Sequence, residues 1–154
     1  MNLFLIRHAA AEDATPDESR RLTRSGQADA RALGVFLRKS GAFTPDEIWH
    51  STLVRARETA GLIAAELRKA PAPVEVAGLA PEDDPAAFAR RLRARAESIA
   101  VVGHQPFLGA LASLLVTGAA EPPRFAVRKC AVIALEGAGR SWIVRWHLSP
   151  ELIR

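Results

Sequence analysis

The residues best equipped for chemistry are Arg7 and His8, adjacent in Leu5-Ile6-Arg7-His8-Ala9 at the end of the first apolar run. A neutral imidazole is a nucleophile at pH 7, since its ordinary pKa of about 6.5 leaves a lone pair available without a separate base. Arginine keeps its charge and offers a planar fork of donors that matches phosphate oxygens. Together they point to phosphoryl transfer through a phosphohistidine intermediate. Taken alone, the pair reads more readily as a solvated surface pair at a strand end.

Two further segments raise the odds. Ser51-Thr52-Leu53-Val54-Arg55-Ala56-Arg57-Glu58-Thr59-Ala60 follows a second apolar run, Glu47-Ile48-Trp49-His50, and a third run, Ser98–Gly103, ends in His104-Gln105-Pro106. In an open α/β sheet, ligands sit at the carboxyl ends of the strands. Arg7, His8, Arg55 and His104 would then converge at one sheet edge.

The elements that must position them alternate along the chain. The patterning predicts strands near 2–7, 46–50, 74–77 and 98–103, and helices near 24–39, 54–69, 85–97 and 106–116. Such alternation implies right-handed βαβ units and a largely parallel sheet. In the first helix, Ala28, Ala32, Leu33, Phe36 and Leu37 recur on one face, and Gly41 suits a C-terminal cap. After Pro122-Pro123, the runs 131–135 and 142–146, separated by residues 136–141, read as two antiparallel strands joined by a loop.

Composition sets the outer bounds. A length of 154 residues, 49% of them hydrophobic, suits one domain over 1–154 with a packed core. The start of the chain has neither a secretory signal pattern nor a spanning apolar stretch, so a cytoplasmic protein with no membrane association is expected. The single cysteine, Cys130, excludes an internal disulfide and reads as a buried structural thiol. The net charge is +4, but 18 of the 21 basic residues are arginines scattered over predicted helices, so nucleic acid is not the expected partner. The densest run, Arg90-Arg91-Leu92-Arg93-Ala94-Arg95, sits on the predicted helix at 85–97 with Phe88, Leu92 and Ala96 inward. It reads as a solvated face, or else as a surface that docks an acidic protein. His50 and His147 read as structural histidines. The four histidines lack any metal-ligand spacing, so neither a metal nor another cofactor is expected.

Arg7-His8, Ser51-x-x-x-Arg55-Ala56-x-x-Thr59-Ala60 and Gly103-His104 resemble the three signature segments of the histidine phosphatase superfamily, the phosphoglycerate mutase-like fold. Arg20-Arg21-Leu22-Thr23-x-x-Gly26, and Leu79-Ala80-Pro81 before an acidic stretch, resemble the SixA-type phosphohistidine phosphatases within it. The resemblance implies a three-layer α/β/α domain with a mostly parallel central sheet and antiparallel C-terminal strands. It also implies a metal-independent phosphatase in which His8 is the nucleophile, Arg7 and Arg55 hold the phosphate, and His104 belongs to the same pocket. Arg20 matches a SixA-like arginine and would add a phosphate contact, with a salt bridge as the alternative. Ser51 lies close enough in sequence to Arg55 to face the pocket, or simply caps and packs its helix along with Thr59. Two positions depart from the usual pattern: Ala9 stands where glycine usually follows Arg-His, and Thr52 where proline often follows the serine.

The leaving group discriminates among substrates. Expelling an alkoxide needs a proton donor, whereas a near-neutral imidazole leaves with much less help. The candidate general acids are Glu82 and Asp84, with Asp83 between them, and Asp13 beside Glu12. None matches the glutamate donor of the family's ester-cleaving members, and the short loops leave little material for a lid. The expected activity is removal of phosphate from a phosphohistidine on a signalling phosphoprotein, releasing inorganic phosphate. The alternatives are a small-molecule phosphomonoesterase and a non-catalytic phospho-ligand-binding module. A monomer is expected.

Overall fold

Leu3, Phe4, Leu5 and Ile6 are buried without interruption, the pattern of a strand covered on both faces. They form β1 (Asn2–Arg7), the first element of a computed structural model that describes residues 1–153. The other strands are β2 (Glu47–His50), β3 (Val74–Glu75), β4 (Ile99–Gly103), β5 (Val132–Ala138) and β6 (Ser141–Leu148). They make one sheet in the order β3-β2-β4-β1-β5-β6. The pairs β1–β4, β2–β4 and β2–β3 are parallel, and β1–β5 and β5–β6 are antiparallel.

Alternate side chains of β1 feed two separate cores. Phe4 and Ile6 pack with Leu33, Leu37, Ala60 and Ile63 from α1 (Arg24–Ser40) and α2 (Val54–Glu66). Leu3 and Leu5 pack with Phe88, Leu92, Leu108 and Leu111 from α3 (Pro85–Leu92) and α4 (Phe107–Thr117). The result is the three-layer α/β/α arrangement with a mostly parallel sheet and antiparallel C-terminal strands. Full burial of each such side chain contributes roughly 1.5–3 kcal/mol.

Register brings the chemistry to one edge. Arg7 lies beside Gly103, and His50 beside Val102. The next backbone amides extend the ladders, His8 N–H to the Gly103 carbonyl at 3.0 Å and Ser51 N–H to the Val102 carbonyl at 3.2 Å. His8, Ser51 and His104 therefore leave the sheet side by side.

Four local expectations are corrected. On α1 the buried stripe is Gly26, Ala30, Leu33, Gly34 and Leu37, while Ala28, Ala32 and Phe36 are exposed. The stripe follows the glycines because α1 lies close on α2: a Cβ on Gly34 would come 2.8 Å from Glu66 Cβ and 3.0 Å from the Ile63 carbonyl oxygen. Helix α3 ends at Leu92 instead of continuing to 97, which leaves Ala96 exposed. There Arg95 turns back to pair with Glu47 and Glu97 and lies over the Trp49 ring, contacts a continuing helix would not supply. Helix α2 likewise stops at Glu66, short of 69. The C-terminal strands run further than predicted, to a turn of only Gly139 and Arg140, because Gly137 lets Trp142 lie against the backbone of β5 and Gly139 takes φ 57°.

Candidate active site

His8 follows β1 directly and is 6% exposed. Its Nδ1 lies 2.7 Å from the Ala9 carbonyl oxygen, which can only accept, so Nδ1 carries the proton and Nε2 keeps its lone pair. Burial pushes the His8 pKa down to about 4; the Ala9 bond opposes that shift, and Arg55, Arg7 and Lys129 reinforce it. The imidazole is thus neutral at physiological pH, with the Nε2 lone pair oriented by the backbone bond at Nδ1.

The loop that presents His8 is tied on both sides. The Ala9 N–H donates to Thr59 Oγ1 at 3.0 Å, and the Thr59 hydroxyl donates to the Arg55 carbonyl one helical turn earlier at 2.7 Å. One buried hydroxyl therefore links the His8 loop to the helix that carries Arg55. Among the described non-glycine residues only Cys130, at φ 64°, has a positive φ, so Ala9 sits in ordinary backbone and its methyl group packs in the core. Cys130 is buried, and its N–H bonds the carbonyls of Arg7 and His8 at 3.1 and 3.3 Å. Thr52 is exposed.

Gly26 explains the Thr23-x-x-Gly26 spacing. Thr23 caps α1 by accepting from the Gly26 N–H at 2.9 Å, while its own N–H donates to the Ala10 carbonyl at 2.9 Å. A Cβ on Gly26 would fall 2.1 Å from that carbonyl oxygen, so only glycine allows α1 to start against the His8 loop.

His104 follows β4, is 1% exposed, and lies 5.0 Å from the His8 ring, centroid to centroid. Ser51 Oγ is 2.5 Å from His104 Nε2 and accepts the Leu53 N–H at 3.3 Å. Among the described residues the serine proton has no other acceptor, which assigns Ser51 as donor to Nε2 and the His104 proton to Nδ1. Burial drives the His104 pKa to about 3, with His8, Arg55 and Arg7 adding to the shift and Asp17 opposing it. Ser51 therefore positions His104 and does not cap α2, whose N-cap is Leu53 with no side-chain bond. His50 is buried with Nδ1 donating to the Ser51 carbonyl at 2.8 Å, a structural bond.

Arg55 enters on the first turn of α2 and is 4% exposed. Its Nη1 and Nη2 donate to the backbone oxygen and Oδ2 of Asp17, at 3.0 and 3.2 Å. Arg7 donates through Nη1 to the Val127 carbonyl at 3.0 Å, and burial lowers its pKa. Among the described residues, the buried side-chain nitrogens or oxygens without a protein partner are Arg7 Nε, Arg55 Nε and His104 Nδ1. Buried donors are normally satisfied. Three unsatisfied ones on three of the four converging residues make a donor set suited to an anion. The N-termini of α2 and α4 begin at the same edge and add positive potential.

The remaining candidates lie further out. Arg20 donates through Nε to the Glu12 carbonyl at 2.8 Å and through Nη1 to Asp17 Oδ1 at 3.2 Å, and stands 3.8 Å from Asp13, so it braces the loop that reaches Arg55. Asp13 and Glu82 are exposed. Asp84 caps α3 by accepting the Ala86 N–H at 2.9 Å, and Asp83 accepts the Ala80 N–H at 2.8 Å. Sequence reasoning missed Asp17, which stands in an exposed three-residue 3-10 turn, Asp17–Ser19, with no periodicity to mark it. No group of three potential metal ligands occurs among the described residues, and none of their helices is long and apolar enough to cross a membrane.

A family model of the histidine phosphatase superfamily (branch 1) matches residues 3–79, half of the chain. The chain belongs to the histidine phosphatase superfamily. Among solved structures, the protein histidine phosphatase SixA complexed with tungstate is similar over 100% of both chains, with a TM-score of 0.89 and 25% identity. A SixA-type protein from Agrobacterium tumefaciens shares the fold at TM-score 0.79 and 24% identity, over 97% of this chain and 98% of that one. The alpha-ribazole phosphatase from Shigella flexneri shares it at TM-score 0.76 and 21% identity, over 97% of each chain. No curated protein matches the sequence. Superfamily membership and the SixA likeness support a phosphatase, a hydrolase of phosphorylated substrates.

Proposed function

We propose that this protein is a metal-independent phosphohistidine phosphatase whose substrate is a phosphohistidine on a signalling phosphoprotein. The observation that carries the reading is the His8 Nε2 lone pair set among Arg7, Arg55 and His104, three residues with buried, unpartnered donors. In the first step Nε2 attacks phosphorus in line, the phosphorus–nitrogen bond of the substrate breaks, and the departing imidazole takes its proton from solvent. Arg7, Arg55 and the His104 Nδ1–H stabilise the charge spread over the equatorial oxygens. Water then attacks phospho-His8, releasing inorganic phosphate and restoring Nε2.

The leaving group is argued from the carboxylates. Neither histidine has a carboxylate partner, since His8 bonds Ala9 and His104 bonds Ser51. Asp13, Glu82 and Asp84 are exposed, and Asp84 is engaged as a cap. Asp17, which does touch Arg55, is held below the usual carboxylate range by Arg20 and Arg55 and is a poor proton reservoir at neutral pH. A site so supplied favours a leaving group that needs little acid help.

The test is hydrolysis, in the presence of a chelator, of a phosphohistidine-bearing phosphotransfer protein beside a panel of phosphate monoesters, with His8→Ala as control. Turnover of the phosphoprotein that disappears in the variant supports the proposal. Preference for esters makes the protein a phosphomonoesterase, and saturable phosphate binding without turnover makes it a phospho-ligand-binding module; either result overturns it.

A further inference from the structure

At the end of α4 remote from His104, a cavity of about 400 Å³ opens between α3, α4 and the β5–β6 turn. Its apolar wall includes Ala89, Leu115 and Trp142, all buried. Arg90 and Arg93 line it from the end of α3, and Arg140 from the hairpin turn. None of these three guanidiniums has a hydrogen bond or an acidic partner among the described residues.

Their neighbours in the same arginine run are employed otherwise. Arg91 donates to the Ala77 carbonyl at 2.6 Å and lies over the Trp49 and Phe88 rings, and Arg95 pairs with Glu47 and Glu97. Cations near a helix C-terminus complement its dipole, which accounts for Arg90 and Arg93 on α3. It does not account for Arg140, which comes from a different element. All three side chains are exposed, so solvent screens their mutual repulsion, and an anion seated against the apolar hollow between them relieves what remains.

We propose that this cavity binds a small organic anion: a carboxylate, sulfonate or phosphate group on an apolar body. The volume lies in the range of small-molecule pockets, and the lining joins an apolar wall to charged groups placed to fix an anion's orientation. The cavity stands apart from His8, so the inference holds whether or not the phosphatase reading does.

The experiment titrates the full chain with 8-anilino-1-naphthalenesulfonate and with its neutral counterpart, N-phenyl-1-naphthylamine, followed by fluorescence and by amide chemical shifts. Saturable sulfonate binding is expected, with shifts at Ala89, Leu115 and Gly118 and at the Trp142 indole. The neutral probe should bind at least tenfold more weakly. So should the sulfonate to an Arg93→Gln/Arg140→Gln variant whose melting temperature is unchanged. Equal binding of both probes, an unaffected variant, shifts centred on the separate groove at Phe36 and Trp146, or no saturation would each overturn the proposal.

Discussion

Asp17 grips Arg55 twice, through its backbone carbonyl at 3.0 Å and its carboxylate at 3.2 Å, so the guanidinium proposed to hold phosphate already faces a negative charge. That carboxylate is shared with Arg20 and stays ionised at neutral pH. Replacing Asp17 with Asn removes the charge while keeping the carbonyl contact. Inorganic phosphate should then bind about two- to fivefold more tightly, the scale of an exposed ion pair. Calorimetric titration with phosphate checks this; weaker binding would mean that the carboxylate serves chiefly to hold Arg55 in place.

Thr59 predicts a different cost. Thr59→Val keeps the shape but strips the Ala9 N–H of its buried acceptor, which should destabilise the fold by about 1–3 kcal/mol and lower turnover. Thr59→Ser should restore most of both. Chemical denaturation of the three proteins decides it, and a valine variant as stable and active as the parent would remove Thr59 from the positioning of His8.

The histidines make the unliganded protein acid-sensitive. Their pKa values are about 4 for His8 and about 3 for His104 when folded, against about 6.5 unfolded. Unfolding thus takes up a proton at each histidine between those values and 6.5, and stability falls as pH drops below 6.5. Each contributes up to about a tenfold loss in folding constant per pH unit. Urea denaturation from pH 7 to pH 5 should show a shallower decline in His104→Gln, and the Cε1–H resonance of His8 should not titrate between pH 5.5 and 8.

Gly26→Ala drives a methyl group into the Ala10 carbonyl oxygen. Helix α1 or the His8 loop must shift, which should cost about 1–3 kcal/mol and impair phosphate binding beyond what stability explains. The same substitution at Gly61, where a Cβ meets nothing within 4 Å, is the internal control and should leave binding unchanged.

What the sequence made legible was set by short-range signals. The apolar runs before Arg7, Ser51 and His104 mark the parallel strands, and the strand ends bring Arg7, His8 and His104 to one sheet edge. What stayed hidden depended on contacts distant in sequence. Asp17 meets Arg55 only because loop residues fold over α2, and the buried face of α1 follows two glycines that a hydrophobicity pattern does not weigh. Sequence position left Ser51 either facing the pocket or capping its helix, and its bond to His104 arises from sheet register. The early end of α3 reflects the ion pairs and ring contact of Arg95, invisible to periodicity.

The anchoring of Arg7 by Val127, and of the Arg7 and His8 carbonyls by Cys130, carries a consequence for how the protein is made. The strand that leads into His8 is synthesised before its neighbours in the sheet, β4 and β5. A nascent chain halted before residue 127 possesses His8 and Arg55 but lacks the carbonyl that holds Arg7. The arrangement of Arg7 and His8 is completed only once Val127 and Cys130 are in place, an assembly order dictated by contacts spanning some 120 positions.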